Sequence, residues 1–307
     1  MAAVAPSIPI TPSAPTFALG LSTGLVNVLN PDGSLQSSTT AYVGFNGTVD
    51  AVNAVNRDGT TSVITGTAVG SSHVKVFNSS SGAEVHSFLA FDEFQGGVRV
   101  GSADVNADGN ADIIVGTATG YSHIKVFSGS DGSLLYSFFA FDQTFTGGIS
   151  VGSGDVTGDG KADIIVGAAT GSSHVRVFSG ADGTLVRSFF AFGPTYTVGV
   201  NVGAGELDGD GFADLLVGAN TNGHVKAFSG ATSAESLSFS PYPNYAGAVR
   251  VGAVDTNGDG RAELLTSAAN HVKRFADQPL AELDSFFVYV DVPSRSIQAP
   301  PDLVNDN

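Results

Sequence analysis

The stretch DVNADGNADIIVGTATGYSHIKVFSGSDGSLLYSFFAF, residues 104–141, decides the fold, because most of it recurs along the chain. Its segment ADIIVG (111–116) returns at 162–167, and its end SFFAF (137–141) returns at 188–192. A histidine opens five similar pentapeptides, HVKVF, HIKVF, HVRVF, HVKAF and HVKRF, with spacings of 50, 51, 50 and 47 residues. A fixed period of this length is typical of repeat architectures.

Each period holds four short apolar runs that are separated by Gly, Asn, Asp and Ser. In residues 97–141 the runs are GVRVGSADV, ADIIVGTAT, HIKVFSG and LLYSFFAF. Their alternation and their β-branched residues favour strands over helices. Asp131-Gly132 and Asp182-Gly183 follow the third run, and this dipeptide is typical of a tight hairpin turn. We therefore predict four antiparallel strands per repeat, A to D, which is the sequence form of a β-propeller blade.

The repeat count predicts an all-β propeller of six four-stranded blades. The third strand has six copies, of which LVNVL at 25–29 is the decayed first. FALGL at 17–21 corresponds to strand B, so the first blade lacks its own strand A. Residues 296–304 align with strand A, and we expect them to pair into the first blade, which closes the ring and removes exposed sheet edges. An open ring, or seven blades completed by residues outside this sequence, is the alternative.

Composition narrows the classes of partner. Residues 1–16 are rich in Pro, Ser and Ala and are predicted to be a linker, which leaves 17–307 as a single propeller domain. The chain carries 29 acidic against 13 basic residues, so nucleic acid is disfavoured as a partner. No apolar run approaches the roughly 18–20 residues of a membrane span, so membrane insertion is not expected. Cysteine is absent, which excludes disulfides and thiolate metal sites.

The segment between strands A and B carries the strongest chemical signal. In four repeats, oxygen-bearing side chains stand at positions 1, 3, 5 and 9 of a loop that has Gly at position 6. Alternate residues of such a turn point at one centre, and the backbone carbonyl of position 7 adds an oxygen. All-oxygen coordination suits Ca²⁺, so these loops are predicted calcium sites. The predicted metal-binding residues are Asp104, Asn106, Asp108, Asn110, Asp112, Asp155, Thr157, Asp159, Lys161, Asp163, Glu206, Asp208, Asp210, Phe212, Asp214, Asp255, Asn257, Asp259, Arg261 and Glu263.

Two blades are expected to lack a strong metal site. The loop of the second blade has Ala54, Asn56, Asp58, Gly59 and Ser62 at the corresponding positions, so we predict that it is empty or weak. The first blade has no such loop, and about four Ca²⁺ ions are therefore expected. Without metal the clustered carboxylates repel one another, so Ca²⁺ is expected to contribute folding free energy.

The segments DVNADGNADIIVG (104–116), DVTGDGKADIIVG (155–167) and DTNGDGRAELLTS (255–267) resemble FG-GAP repeats. These repeats are the Ca²⁺-binding blades of integrin α-chain propellers and of many bacterial extracellular proteins. The resemblance extends over about residues 17–304. It implies a β-propeller with Ca²⁺ in the A–B loops on one face, and with ligands on the opposite face, where the B–C and D–A loops lie. The six predicted blades differ from the seven of integrin propellers.

The first candidate set for ligand binding is a histidine at the start of strand C in five blades, beside the B–C loop. Neighbouring histidines are predicted to lie roughly 15 Å apart, too far to share one metal. Each one either hydrogen-bonds a loop backbone in its own blade or belongs to a ligand pocket between blades. The five residues are His73, His123, His174, His224 and His271.

The second candidate set is a polar position in strand A, which is expected to face the central channel. Apolar residues flank this position, and its side chains would either bind a small anion or sugar or line a water-filled channel. The phenylalanines of SFFAF, in contrast, are expected to pack between blades. The polar set comprises Asp50, Arg99, Ser150, Asn201, Arg250 and Gln298, with Asp50 placed after a one-residue gap.

No HExxH motif, Gly-rich phosphate loop or constellation of a nucleophile with an acid and a base is apparent, so no catalysis is predicted. We expect a secreted or cell-surface, Ca²⁺-stabilised module for ligand binding or adhesion. It would be a monomeric domain of a larger protein, with a protein or glycan ligand on the face opposite the calcium loops. The alternatives are a lectin-type propeller with sites between blades, and a polysaccharide-degrading enzyme that uses Arg99 and Arg250 in the channel.

Overall fold

The computed structural model describes residues 17–21, 23–276 and 280–287, and these residues form strands and turns. They contain no helix that is long and apolar enough to cross a membrane. The described strands assemble into six antiparallel sheets, five with four strands and the first with three. By sheet, the strands are β1 (Phe17–Gly20), β2 (Leu25–Leu29), β3 (Leu35–Thr40); β4 (Val49–Val55), β5 (Thr61–Thr67), β6 (His73–Asn78), β7 (Glu84–Leu89); β8 (Val98–Ala103), β9 (Asp112–Thr117), β10 (His123–Phe127), β11 (Leu134–Phe139); β12 (Ile149–Gly154), β13 (Asp163–Ala168), β14 (His174–Phe178), β15 (Leu185–Phe190); β16 (Val200–Gly205), β17 (Asp214–Ala219), β18 (Val225–Phe228), β19 (Glu235–Phe239); β20 (Arg250–Val254), β21 (Glu263–Ala268), β22 (His271–Ala276), β23 (Ala281–Phe287).

The six sheets are the blades of a β-propeller, which confirms the all-β, six-bladed prediction. Within each blade the strands follow one another as an antiparallel meander in chain order. Strand A of one blade packs against strand A of the next, from β4 through β8, β12 and β16 to β20. Strand A is therefore the innermost strand and strand D the outermost. In the first blade the described strands β1, β2 and β3 correspond to B, C and D.

Two contacts bring the last blade back to the start of the ring. Gly33, in the turn between β2 and β3, lies against the ring of Phe286 in β23. Arg250 in β20 places Nη1 3.3 Å from Oδ1 of Asp50 in β4. Strand A of blade six therefore contacts strand A of blade two, and blade one lies between these two blades in the ring. The predicted closing strand 296–304 and the predicted linker 1–16 lie outside the described residues, so both stay predictions, as do the domain boundaries.

The hydrophobic core lies between blades. In blades three to five, strand B is buried along its whole length, and Ile165 in β13 packs with Val200 and other residues of the next blade. A glycine near the end of strand B makes this close packing possible. A Cβ on Gly116 would lie 2.7 Å from the side chain of Val151 and 2.8 Å from that of Ile149. The repeated glycine of the sequence DIIVG is thus required by the neighbouring blade.

The phenylalanines of strand D divide into two groups. One packs between blades as predicted: the ring centroids of Phe138 and Phe178 are 4.7 Å apart. The next residue in the strand points to the other side, because side chains alternate along a strand. Phe139 and Phe190 are accordingly 42% and 45% exposed. The prediction that these phenylalanines pack between blades is wrong for this second group.

Candidate metal loops and inter-blade clefts

Each predicted metal loop is folded around its first acidic residue. In the third blade, Asp104 accepts the N–H of Asp108 through Oδ1 (3.0 Å) and that of Gly109 through Oδ2 (2.9 Å). Position 6 is left-handed, with a φ of 91° at Gly109, and so is position 4, with a φ of 64° at Ala107. Glycine adopts this conformation without a steric penalty, which explains the Gly at position 6. The carboxylate of position 1 therefore lies against the backbone of positions 5 and 6.

The buried acid at position 9 holds the loop in place through hydrogen bonds to the backbone. The buried carboxylate of Asp112 accepts the N–H of Val105 and that of Gly129, each at 3.0 Å. Gly129 begins the turn between strands C and D, so this side chain joins the two turns of one face. Burial raises the pKa of Asp112 to about 6, and it raises the pKa of Asp214 in the fifth blade to about 6 as well. Burial also raises the pKa of Asp163.

The acidic side chains at positions 1, 3 and 5 lie closest together in the loop of the fifth blade. Carboxylate oxygens of Glu206, Asp208 and Asp210 lie within 4.8 Å of one another. This is the one group of three or more acidic or histidine side chains with such spacing among the described residues. Asp214, at position 9 of the same loop, is outside the group, because its oxygens accept the N–H groups of Leu207 and Gly230.

The remaining loop positions fit a hard cation. The position-7 residues Asn110, Lys161, Phe212 and Arg261 each donate their N–H to the carboxylate at position 5, at 2.7–2.9 Å. At position 3 of the fourth blade, Thr157 Oγ1 is buried and makes no well-formed hydrogen bond. Grouped carboxylates and an unsatisfied hydroxyl oxygen are the oxygen donors that Ca²⁺ takes. These residues could hold Ca²⁺. The side chains of positions 1, 3 and 5 would supply the oxygen ligands, and the side chain of position 9 would hold the loop in place.

The loop of the second blade is closed on itself. Oδ1 of Asp58 accepts both the N–H (2.8 Å) and the hydroxyl (2.7 Å) of Thr60, and these bonds lower the pKa of Asp58. Asn56 Nδ2 donates to the same hydroxyl (2.9 Å), and Ser62 lies in β5 opposite Ala54. Oδ1 of Asp58 is thus used within the turn. That the loop binds metal weakly or not at all stays a prediction.

The five histidines occupy equivalent places between blades. The Nε2 atoms of four of them lie 2.7–2.9 Å from a serine hydroxyl of strand D in the same blade, so the predicted loop-backbone partner is wrong for these four. Burial lowers the pKa of all four. Nε2 of His271 is buried without a hydrogen-bond partner among the described residues. The four pairs are His73–Ser87, His123–Ser137, His174–Ser188 and His224–Ser238.

Each histidine ring also contacts an aromatic ring of the preceding blade. The centroids of Phe91 and His123 are 5.0 Å apart, and Lys125 places Nζ 5.3 Å from the centroid of Phe91. The other four interfaces repeat this arrangement. This arrangement was not predicted from the sequence, although the aromatic residue after strand D and the cation two residues after His recur in five periods. The further aromatic–histidine–cation sets are Tyr42–His73–Lys75, Phe141–His174–Arg176, Phe192–His224–Lys226 and Tyr242–His271–Lys273.

An open cleft lies beside the first of these sets, on the face opposite the acidic loops. Its volume is about 510 Å³. One wall is the D–A loop of the first blade, and the other is the B–C loop and strand C of the second. The lining residues are Tyr42, Val43, Gly44, Phe45, Thr67, Ser71, His73 and Lys75.

The polar residues of strand A are engaged in bonds between blades. Register places Asp50, Arg99, Ser150, Asn201 and Arg250 at equivalent positions, each opposite Gly or Ser of strand B. Ser150 Oγ donates to Val200 O (2.9 Å) of the next blade, and Asp50 Oδ2 accepts the N–H of Val100 (3.0 Å). Arg99 and Arg250 both approach the Asp50 carboxylate, at 4.0 and 3.3 Å. Gln298 lies outside the described residues.

A ring of six blades that carries the same acidic loop on four of them defines a repeat-built β-propeller. Residues 104–166, 155–217 and 207–266 match the FG-GAP-like repeat, and together these matches cover more than half of the chain. The chain therefore belongs to the FG-GAP-like repeat family. Such repeats often bind calcium, and propellers of this family are generally non-catalytic, which supports the prediction that the chain is not an enzyme. No curated protein matches the chain.

Proposed function

We propose that the chain is an extracellular, Ca²⁺-stabilised binding module that takes a protein or glycan ligand in the clefts between its blades. The observation that supports the proposal best is the cleft between the first and second blades. Its volume of about 510 Å³ lies within the range of ligand pockets, and aromatic and polar side chains line it together. Because the aromatic–histidine–cation set recurs at four further interfaces, a repetitive ligand would contact several clefts at once and gain avidity.

Calcium has a stabilising role in this proposal. About four ions would be held by the loops of blades three to six, and each ion would supply the positive charge that the grouped carboxylates lack. At a free Ca²⁺ concentration ten times the dissociation constant, each ion adds about 1.4 kcal/mol to the free energy of unfolding. EDTA is therefore expected to lower the melting temperature strongly. A melting temperature that is the same in EDTA and in millimolar Ca²⁺ would contradict this role.

The proposed location follows from the same chemistry. Extracellular Ca²⁺ modules bind their ions at about 10⁻⁴–10⁻³ M, concentrations that cells maintain outside rather than inside. The proposal therefore places the chain in a secreted or cell-surface protein, as a monomeric domain of a longer polypeptide. Its ligand would meet the face opposite the acidic loops.

The second candidate is a lectin, and the exposed aromatic surface of the third blade, beside its interface with the second, favours it. Tyr121 is 56% exposed, its ring lies 6.4 Å from that of Phe139, and Phe139 stacks on His123 at 4.6 Å. Lys125 has no ion-pair partner within the described part of the chain, because Leu134 stands where blades two, five and six have Glu. Exposed aromatic faces beside an ammonium that lacks an ion-pair partner suit a sugar ring, and an acidic sugar best.

Binding to a panel of glycans and extracellular-matrix polymers, first in Ca²⁺ and then in EDTA, tests both candidates. Tyr121→Ala is expected to reduce glycan binding at this aromatic surface without changing the melting temperature. Leu134→Ala is the matched control, since Leu134 is 52% exposed but lies at the opposite end of strand D. Saturable glycan binding that both variants retain would contradict the placement of the site at Tyr121, and the lectin itself would be contradicted by the absence of glycan binding to folded wild-type protein. A blank panel with folded protein would favour a protein ligand, to be identified by pull-down.

A further inference from the structure

Direct hydrogen bonds join the acidic loops of neighbouring blades. The eighth residue of one loop donates its N–H to the carbonyl of the first residue in the preceding loop. The bonds run from Ala162 to Asp104 (3.0 Å), from Ala213 to Asp155 (2.7 Å) and from Ala262 to Glu206 (2.6 Å). Each bond thus connects the residue beside the buried anchor of one loop with the residue that carries a metal-binding carboxylate in the loop before it.

The self-closed loop of the second blade stands at the start of this series. Ala111, at position 8 of the third-blade loop, donates its N–H to Oδ1 of Asn56 (2.8 Å). The N–H of Arg57 donates to the carbonyl of Gly109 (2.8 Å), and the Arg57 guanidinium lies 4.0 Å from the carboxylate of Asp104. The third-blade loop is therefore held at positions 1, 6 and 8 by a neighbour whose own turn is ordered by internal bonds.

Side chains reinforce the same contacts further around the ring. The position-7 side chains of the fifth-blade and sixth-blade loops each lie over position 4 of the loop before. A Cβ on Gly158 would lie 2.5 Å from the ring of Phe212, and one on Gly209 would lie 2.8 Å from the guanidinium of Arg261. A loop that changes shape when it takes up an ion must therefore move against its neighbour.

We propose that the loops of blades three to six bind metal as a coupled array, and that Asn56 and Arg57 are positioning residues that order its first member. The inference rests on the proposed binding of Ca²⁺. An ion on Asp104 fixes the carbonyl that holds Ala162, so the next loop is ordered at lower entropic cost. Coupling of this kind is reciprocal, so each loop assists both of its neighbours.

Calorimetric titration of chelator-stripped protein with Ca²⁺ tests the coupling. Asp159→Ala removes a position-5 carboxylate from a loop with two metal-binding neighbours, and Asp259→Ala removes the same group from the last loop, which has one. Wild-type protein is expected to bind cooperatively. Asp159→Ala is expected to weaken the remaining sites about fivefold or more, and Asp259→Ala to weaken them less.

A second comparison tests the positioning residues independently of affinity. Asn56→Ala is expected to speed hydrogen exchange in residues 104–112, because the N–H of Ala111 loses its acceptor. Asn56→Asp keeps an acceptor oxygen and is expected to restore protection. Asn30→Ala is the matched control, since Asn30 bonds Ser34 within a turn of the first blade. Equal exchange in all four proteins would overturn the positioning role.

The outcomes separate this inference from the proposal beneath it. Wild-type protein that takes up no Ca²⁺ overturns the proposed metal role and the coupled array together. Independent sites, whose affinities are the same in wild type and in Asp159→Ala, overturn the array alone and leave calcium binding in place. Cooperative binding that Asp159→Ala weakens more than Asp259→Ala supports the array.

Discussion

Asp163→Ala is expected to destabilise the protein even when no metal is present. The buried carboxylate of Asp163 accepts the N–H groups of Val156 (2.9 Å), Thr157 (2.9 Å) and Gly180 (3.0 Å). Alanine would leave these three donors without their acceptor, at about 1–3 kcal/mol each. Burial raises the pKa of this carboxyl, which means that its charged form is already penalised in the fold. We therefore expect a loss at the low end, about 3 kcal/mol of unfolding free energy.

Thermal melting in EDTA at pH 7.5 measures this loss, and Asp159→Ala is the matched control. Asp159 belongs to the same loop, but it is exposed and its carboxylate accepts the single N–H of Lys161 (2.9 Å). Asp163→Ala is expected to lower the melting temperature by about 6 °C or more, at roughly 2 °C per kcal/mol for a domain of this size. Asp159→Ala should change the melting temperature little in EDTA and should lower it only when Ca²⁺ is present. Equal melting temperatures for the two variants in EDTA would refute the anchoring role of position 9.

Three further predictions concern the ring of blades. Ile165→Ala removes a fully buried side chain between blades four and five and is expected to cost about 2–5 kcal/mol by urea denaturation, whereas exposed Leu185→Ala should cost under about 0.5 kcal/mol. Ser150→Ala breaks the bond to Val200 O and should cost about 1 kcal/mol; no change in the denaturation midpoint would argue against interblade bonding as its role. Burial lowers the pKa of His174, so the folded state prefers the neutral ring. The contribution of the neutral ring to stability is fully present above the unfolded pKa of about 6.5, and it is lost as pH falls through the folded pKa. His174→Gln should accordingly lose less stability than wild type between pH 8 and pH 5, and identical pH profiles would contradict that assignment.

The repeated acidic loop was readable from the sequence because its chemistry is local. Positions 1 and 5 lie within one turn, so the spacing of Asp104, Asp108 and Gly109 already implies the contacts that the structure shows between them. The role of position 9 was only partly readable. Asp112 bonds Gly129, a residue of a different turn, and nothing in the loop's own sequence indicates that partner.

The hydrogen-bond and aromatic partners of the histidines could not be predicted from the sequence either. Their spacing correctly implied one strand-C histidine in each of five blades, but the predicted loop-backbone partner was wrong for four of them. The serine that takes this place stands fourteen residues later, on strand D, in four of the blades. The aromatic ring against each histidine belongs to the preceding blade, so two repeats must be packed before the set is visible.

The sequence by itself determined the repeat, the four strands of each blade, the number of blades and the acidic loops, because these depend on alternation, turn residues and spacing within about fifty residues. The tertiary structure alone decided what happens between repeats. It placed the polar residues of strand A in bonds to the next blade, formed the cleft between the first and second blades, and joined the acidic loops into one series. The physical reason is that each of these contacts joins residues of different repeats, and the distance between them is fixed by the angle at which neighbouring sheets pack, which no single repeat encodes.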